Sequence, residues 1–310
     1  MRAAMNILFI IAGLTLLDAC KKNNDETTVP STPVQKEYYD IAYANASNAQ
    51  KLDIFLPDTI KAQNPVLVWI HGGGWKGGDK SEFRNSNRLT ELKKRGYAVV
   101  VINYRLSGEA KFPAQIYDVK AAIRWIKANA AAYKMNPDKI GVWGSSAGGH
   151  LSALAGTSGN VTELEDLTQG NSSHSSNVQV VIDWYGPTDF LKMDSMALSQ
   201  GCASSTHNSA NSPESELIGF QITTRPDLVA KANPITHISS DDPPFFIEHG
   251  LTDCIVPYGQ SQLLYDKLIP VLGSQKVKLK LLTATGHGGG LFSDYVTVKE
   301  AIDFLDTYLK

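Results

Sequence analysis

The chain has 310 residues, of which 43% are hydrophobic, 19% charged and 9% aromatic, enough for one large core and too apolar to be disordered over most of its length. Lys and Arg total 29 against 31 Asp and Glu, a formal charge of −2, so the sequence carries no basic footprint for nucleic acid. Three cysteines are too few for a disulfide scaffold and too scattered for a zinc finger or ribbon.

Arg2 followed by the apolar run Ile7–Leu17 is too short to span a bilayer but has the form of an export signal. Its end, Leu17-Asp18-Ala19-Cys20, resembles the lipobox of bacterial lipoproteins. That resemblance implies cleavage before Cys20, lipid on that cysteine, and a periplasmic or outer-membrane-anchored protein that meets the membrane only through the lipid. Asp18 stands where the pattern usually has a small or apolar residue, and the plain alternative is an export signal cut near Ala19. Residues 1–19 are therefore read as the signal and 20–36, polar and rich in Thr, Asn and Pro, as a solvated tether. Lipidation of Cys20 leaves Cys202 and Cys254 as an even pair in an oxidising compartment. A bridge between them is favoured over two buried thiols, and it would add about 4 kcal/mol by the chain-entropy argument.

From residue 37 to 310 strand and helix patterns alternate. Glu37–Tyr43 and Lys51–Leu56 alternate apolar and polar residues, as a half-buried antiparallel pair does. Val66–Ile70 and Tyr97–Tyr104 are continuous apolar runs, the pattern of strands covered on both faces. Between them Ser81–Arg95 reads as a helix stopped at Gly96. Pro113 opens a long helix with Ile116, Val119, Ile123 and Ile126 on one face, ended by Asn136-Pro137. Lys139–Trp143, Val178–Trp184, Pro244–Glu248 and Val277–Leu282 read as further strands, Tyr258–Leu272 and Asp294–Leu309 as the last helices. The alternation predicts an α/β fold, a mostly parallel sheet with helices on both faces. Residues 187–242, rich in Ser and Asn with Pro213, Pro226 and Pro234, interrupt it and are read as an insertion or small cap over the C-terminal edge of the sheet, where open α/β folds bind ligands.

Four short segments carry chemistry. Gly144-Ser145-Ser146-Ala147-Gly148 lies between a predicted strand and a predicted helix, the setting of a nucleophile elbow that lifts Ser146 out of the sheet. Ser145 cannot be the central residue, because Trp143 and Ala147 stand where glycines would be needed. His71-Gly72-Gly73-Gly74-Trp75 follows the strand Val66–Ile70 and has the form of a loop that offers main-chain N–H groups to an oxyanion. Gly73, Gly74 and Ala147 are assigned as donors, each worth about 3 kcal/mol to a transition state. A phosphate loop is excluded, since Gly78-Asp79 stands where Lys-Ser/Thr is required. Asp253 follows the strand that ends near His249, and His287 follows Val277–Leu282, so both leave the sheet at the edge that carries Ser146. Their order of Ser, acid, His is that of an α/β-hydrolase triad, whose serine chemistry needs neither a metal nor an organic cofactor. His287 is the only histidine after Asp253; His71 is read as structural, and His150, His174, His207, His237 and His249 as surface, core or cap residues. Glu248, inside a strand, and Asp266, within a helix, are weaker candidates for the acid.

Together, His71-Gly72-Gly73-Gly74-Trp75, Gly144-Ser145-Ser146-Ala147-Gly148-Gly149-His150-Leu151, His249-Gly250-x-x-Asp253 with Val256-Pro257, and Gly286-His287-Gly288 resemble the α/β-hydrolase esterases. Within them the set is most similar to the bacterial acetylxylan and feruloyl esterase group. The resemblance implies a serine carboxylesterase acting on short-chain or aromatic acyl esters, as small molecules or as acetyl or feruloyl groups on plant polysaccharides such as xylan. Trp75, Trp184 and Tyr185 are candidates to line the substrate, with an ordinary aromatic core as the alternative. Two other functions stay open: a serine peptidase of prolyl-oligopeptidase-like type, and a catalytically silent glycan-binding lipoprotein.

Overall fold

A computed structural model describes residues 35–203 and 205–310; the segment expected to be an export signal, Cys20 and nearly all of the expected tether lie outside the described residues. Eight strands build one sheet: β1 (Glu37–Ala42), β2 (Lys51–Phe55), β3 (Asn64–Ile70), β4 (Ala98–Ile102), β5 (Met135–Ser145), β6 (Val180–Trp184), β7 (Phe245–Gly250) and β8 (Val277–Leu282), in the order β1-β2-β4-β3-β5-β6-β7-β8. The pairs β1–β2 and β2–β4 are antiparallel, and every other pair is parallel. Alternation along the central strands divides their side chains between two faces. Val66, Val68 and Ile70 join one apolar cluster, with residues of α2 (Ala114–Asn129), α3 (Ala147–Thr157) and α7 (Gly259–Leu272). Leu67 and Trp69 join the other, with residues of α1 (Asn87–Lys94) and α8 (Tyr295–Leu309). This is the α/β-hydrolase architecture, a mostly parallel sheet between two helical layers.

Three expected elements differ. The helix expected over Ser81–Arg95 is broken into a 3₁₀ turn at Lys80–Phe83 and α1, which starts afresh behind the Ser86 cap. Asp79 and Glu82 close a capping box on the turn, and Asn103 at the end of β4 holds the Lys80 N–H and the Asp79 carboxylate. The helix expected to run to Asn136-Pro137 ends at Asn129, and Met135 already begins β5, with its N–H returning to the Ala130 carbonyl. The segment between β6 and β7 is more ordered than its composition implies: it holds α4 (Met193–Gln200), α5 (Pro213–Ile218) and α6 (Pro226–Ala232). Pro213 and Pro226 sit in the first turns of α5 and α6, where the missing N–H is no loss. A disulfide joins Cys202, just after α4, to Cys254 in the loop after β7. Among the described residues no helix is long and apolar enough to cross a membrane.

Candidate active site

Ser146 stands between β5 and α3 with φ 56° and ψ −122°, a conformation that L-residues avoid and that is kept only where the surroundings dictate it. The surroundings do so here. The Ser146 N–H donates to the Trp184 carbonyl at 2.9 Å, and a Cβ at Gly148 would collide with the Ile70 carbonyl, so the first turn of α3 lies hard against the end of β3. The strand end therefore presents the Ser146 hydroxyl beyond the C-terminal edge of the sheet.

His287, on the loop after β8, meets that hydroxyl. Its Nε2 lies 2.9 Å from Ser146 Oγ, and its Nδ1 lies 2.7 Å from Asp253 Oδ2. Asp253 accepts, so Nδ1 carries the proton and Nε2 is free to receive one from the serine. Asp253 is fully buried. Its Oδ1 accepts the N–H groups of Ile255 and Val256 at 2.8 and 2.9 Å. Burial alone would raise its pKa, but hydrogen bonds from His249 and His287 outweigh that and hold the carboxyl well below the usual range. The structure thus brings Ser146, His287 and Asp253 into one hydrogen-bonded line. Glu248 and Asp266 stand apart from it. Glu248 is buried within β7, accepts the Trp184 indole N–H at 2.6 Å and is pushed up to about 8, chiefly by burial; Asp266 is exposed on α7.

A cleft of about 620 Å³ opens over this line, walled by Gly72–Trp75, Ala147, Tyr185 and Val256 from the core and by Pro187, His207, Pro213 and Glu214 from the insertion. Gly73 has φ 104°, and a Cβ there would strike the Gly77 carbonyl, so this loop tolerates no side chain at that position. His71 is buried and stacks on Tyr104 at 4.4 Å, with its Nδ1–H given to the Gly72 carbonyl, which makes it a prop for the loop.

Of the aromatic residues considered for the substrate wall, Trp75 and Tyr185 are there. Trp75 is nearly buried, with its indole N–H on His150 Nδ1; the Tyr185 ring sits edge-on to His287 at 4.8 Å. Trp184 is not. It is wholly buried between Trp143 and Phe292 as the last residue of β6, whereas Tyr185, one residue beyond the strand with φ 45°, packs on the same Phe292 and reaches His287.

Two histidines read as surface, core or cap residues belong to the site: His207 lines the cleft, and His249 lies closer still to the triad. His249, wholly buried at the end of β7, places Nε2 3.2 Å from Asp253 Oδ2 and 2.8 Å from the Val256 carbonyl. Its Nδ1 accepts the Ser261 hydroxyl at 2.6 Å, so Nε2 carries the proton. The signal for it was the spacing His249-Gly250-x-x-Asp253, which puts the ring one turn from the carboxylate.

The model of the BD-FAE family matches residues 52–268. The chain belongs to the BD-FAE family. Two curated relatives from Mycobacterium tuberculosis agree: the probable carboxylic ester hydrolase LipM is 33% identical over 85% of this chain, and the esterase LipC 31% identical over 77%. The chain spans only 58% and 57% of their lengths. Among solved structures, a truncated carbohydrate esterase from gut microbiota is 34% identical with TM-score 0.80, covering 88% of this chain and 96% of that one. A bifunctional GH43-CE protein of Bacteroides eggerthii is 37% identical with TM-score 0.78, covering 88% and 38%. Esterase 2 of Thermogutta terrifontis, solved with propionate, shares the fold at TM-score 0.69 and 22% identity, over 88% of this chain and 94% of that one. This BD-FAE chain therefore has the fold and family of α/β-hydrolase esterases.

Proposed function

We propose that this BD-FAE protein is a serine carboxylic ester hydrolase that removes short-chain or aromatic acyl groups, acetyl or feruloyl, from plant polysaccharides such as xylan. The observation that carries the reading is the line from Ser146 Oγ through His287 to Asp253, at 2.9 and 2.7 Å, on the floor of an open cleft. Ser146 attacks the ester carbonyl as His287 Nε2 takes its proton, and Asp253 fixes the ring and stabilises the imidazolium. The tetrahedral oxyanion forms against the N–H groups of Gly73, Gly74 and Ala147. His287 then protonates the departing alcohol, and water, deprotonated by the same imidazole, releases the acid and frees Ser146. The polysaccharide part of the reading draws support from the two carbohydrate-esterase neighbours. Export and lipid attachment at Cys20 belong to the same proposal, since such glycans are met outside the cell.

The test uses residues 21–310 and compares 4-nitrophenyl acetate hydrolysis by the wild type and by Ser146→Ala. Turnover that vanishes in the variant is the expected result, with acetylated and feruloylated xylan assayed next. A folded wild type no faster than Ser146→Ala would end the short-acyl esterase reading, and release of amine from an aminoacyl anilide would then point to a peptidase.

A further inference from the structure

The insertion gives the cleft wall two polar side chains that the acyl-transfer chemistry does not use. His207 and Glu214 line the cleft together with Ser146 and His287. His207 Nδ1 donates to Glu214 Oε1 at 3.0 Å. Glu214 is only 3% exposed, yet its Oε2 has no hydrogen-bond partner among the described residues. Native proteins leave few buried acceptors unmet, and a carboxylate oxygen is among the least tolerable.

The pair is also held firmly. The Asp194 carboxylate accepts from the backbone N–H groups of His207 and Asn208, at 2.8 and 3.0 Å, and from the Ser205 hydroxyl. Glu216, on the same short helix as Glu214, pairs with Lys76 beside the glycine loop at 2.8 Å. Oε1 alone is enough to tie His207 in place, so the buried second oxygen is left over from any bracing role.

We infer that Glu214, clamped by His207 on the cleft wall, is the receptor for a hydroxyl group of the bound ester. The inference rests on the esterase reading above. A carboxylate oxygen only accepts, so its partner must donate. Two parts of the proposed substrates can do so: a sugar hydroxyl on the alcohol side and the phenolic hydroxyl of a feruloyl group on the acyl side. A site built around such an acceptor discriminates strongly against an ester that lacks the donor, because the oxygen then stays unpaired in the complex.

The experiment compares kcat/KM for three esters: 4-nitrophenyl acetate, which has no hydroxyl donor, a monoacetylated methyl xyloside, and methyl ferulate. The variant is Glu214→Gln, which keeps the shape and an oxygen for His207 but puts an NH₂ where Oε2 stands; its melting temperature monitors the fold. For at least one hydroxylated ester, kcat/KM is expected to fall at least tenfold further than for 4-nitrophenyl acetate. A fall on the xyloside places the receptor on the alcohol side, and a fall on methyl ferulate places it on the acyl side. Wild-type proportions among the three in Glu214→Gln would overturn the receptor and leave the esterase standing. Should the wild type turn over none of them, the esterase reading fails on its own. The receptor is then decided by binding of xylobiose and methyl ferulate to Ser146→Ala. A tenfold loss of affinity for one of them on adding Glu214→Gln sustains it, and no loss overturns it.

Discussion

His249 Nε2 lies 3.2 Å from the same Asp253 oxygen that holds His287 Nδ1 at 2.7 Å. One carboxylate oxygen thus serves two imidazoles: His287 leads to the hydroxyl of Ser146, while His249 is locked by Ser261 and the Val256 carbonyl. His249 acts through Asp253 and is a positioning residue. Asp253 is buried with its pKa held low, so its ionised form contributes stability at neutral pH. That stability is present above the ordinary carboxylate range and is lost as pH falls toward the depressed folded value. His249→Ala removes one of the two side-chain donors behind the depression. The acid-unfolding midpoint, followed by circular dichroism, is expected to move to higher pH, with kcat at neutral pH falling about ten- to a hundredfold as Asp253 loses its fixed orientation. An unchanged acid midpoint would remove His249 from this role.

Ser146 trades stability for position. Its φ of 56° carries a strain on the order of 1 kcal/mol for any residue with a Cβ, which glycine does not pay. Ser146→Ala and Ser146→Gly both lack the hydroxyl, so the difference between them isolates the backbone. Ser146→Gly is expected to be the more stable by about 1 kcal/mol, seen as a melting temperature higher by about 2–4 °C in a chain of this size. Equal melting temperatures would mean that the elbow is unstrained.

Much of the frame was legible because the central strands are buried on both faces. Runs such as Val66–Ile70 and Ala98–Ile102 need no polar side, and a continuous apolar run says so. The break before α1 was not legible, because Asn103, about twenty residues away in sequence, stabilises the Asp79 turn. Pro213 and Pro226, which open α5 and α6, hide those two helices of the insertion in the sequence. In the site, Ser146, Asp253 and His287 stand out through glycine-flanked spacing at strand ends. Trp184 and Tyr185 are neighbours in sequence, but Trp184 ends β6 inside the core while Tyr185, beyond the strand end with φ 45°, lines the cleft, and nothing local distinguishes the two. Glu214 was not singled out at all: nothing local marks it, and only the folded insertion brings it beside His207 on the cleft wall.

Glu248 has the opposite pH signature to Asp253. Burial pushes its pKa up to about 8 against the Trp184 indole bond, and Oε1 has no hydrogen-bond partner among the described residues. A carboxyl with a raised folded pKa contributes its full stability below the unfolded value, near 4.5, and loses it as pH rises toward the folded one. Glu248→Gln removes the ionisation while keeping an acceptor for Trp184. The variant is expected to match the wild type near pH 4.5 and to exceed it by at least about 1 kcal/mol at pH 8, since it is spared a buried charge. Denaturant titrations at the two pH values measure this, and a constant difference between them would show that Glu248 does not titrate in that window.

The disulfide links the insertion to the acid. Cys254 follows Asp253 directly, and Cys202 follows Gln200 by two residues. The Gln200 amide donates to the Asp253 carbonyl at 2.6 Å and accepts the Tyr258 N–H at 3.0 Å. Opening a bridge with a sequence separation of 52 frees the unfolded chain by about 4 kcal/mol at most. The double variant Cys202→Ala/Cys254→Ala is expected to lose about 2–4 kcal/mol of stability. Because the hydrogen bonds between α4 and the acid loop among the described residues are then those of Gln200, kcat/KM should fall as well, by a factor that dithiothreitol reproduces in the wild type and leaves unchanged in the variant. A wild type indifferent to the reductant, with the bridge verified as open by thiol titration, would show that the bridge is not needed to hold the acid loop in place.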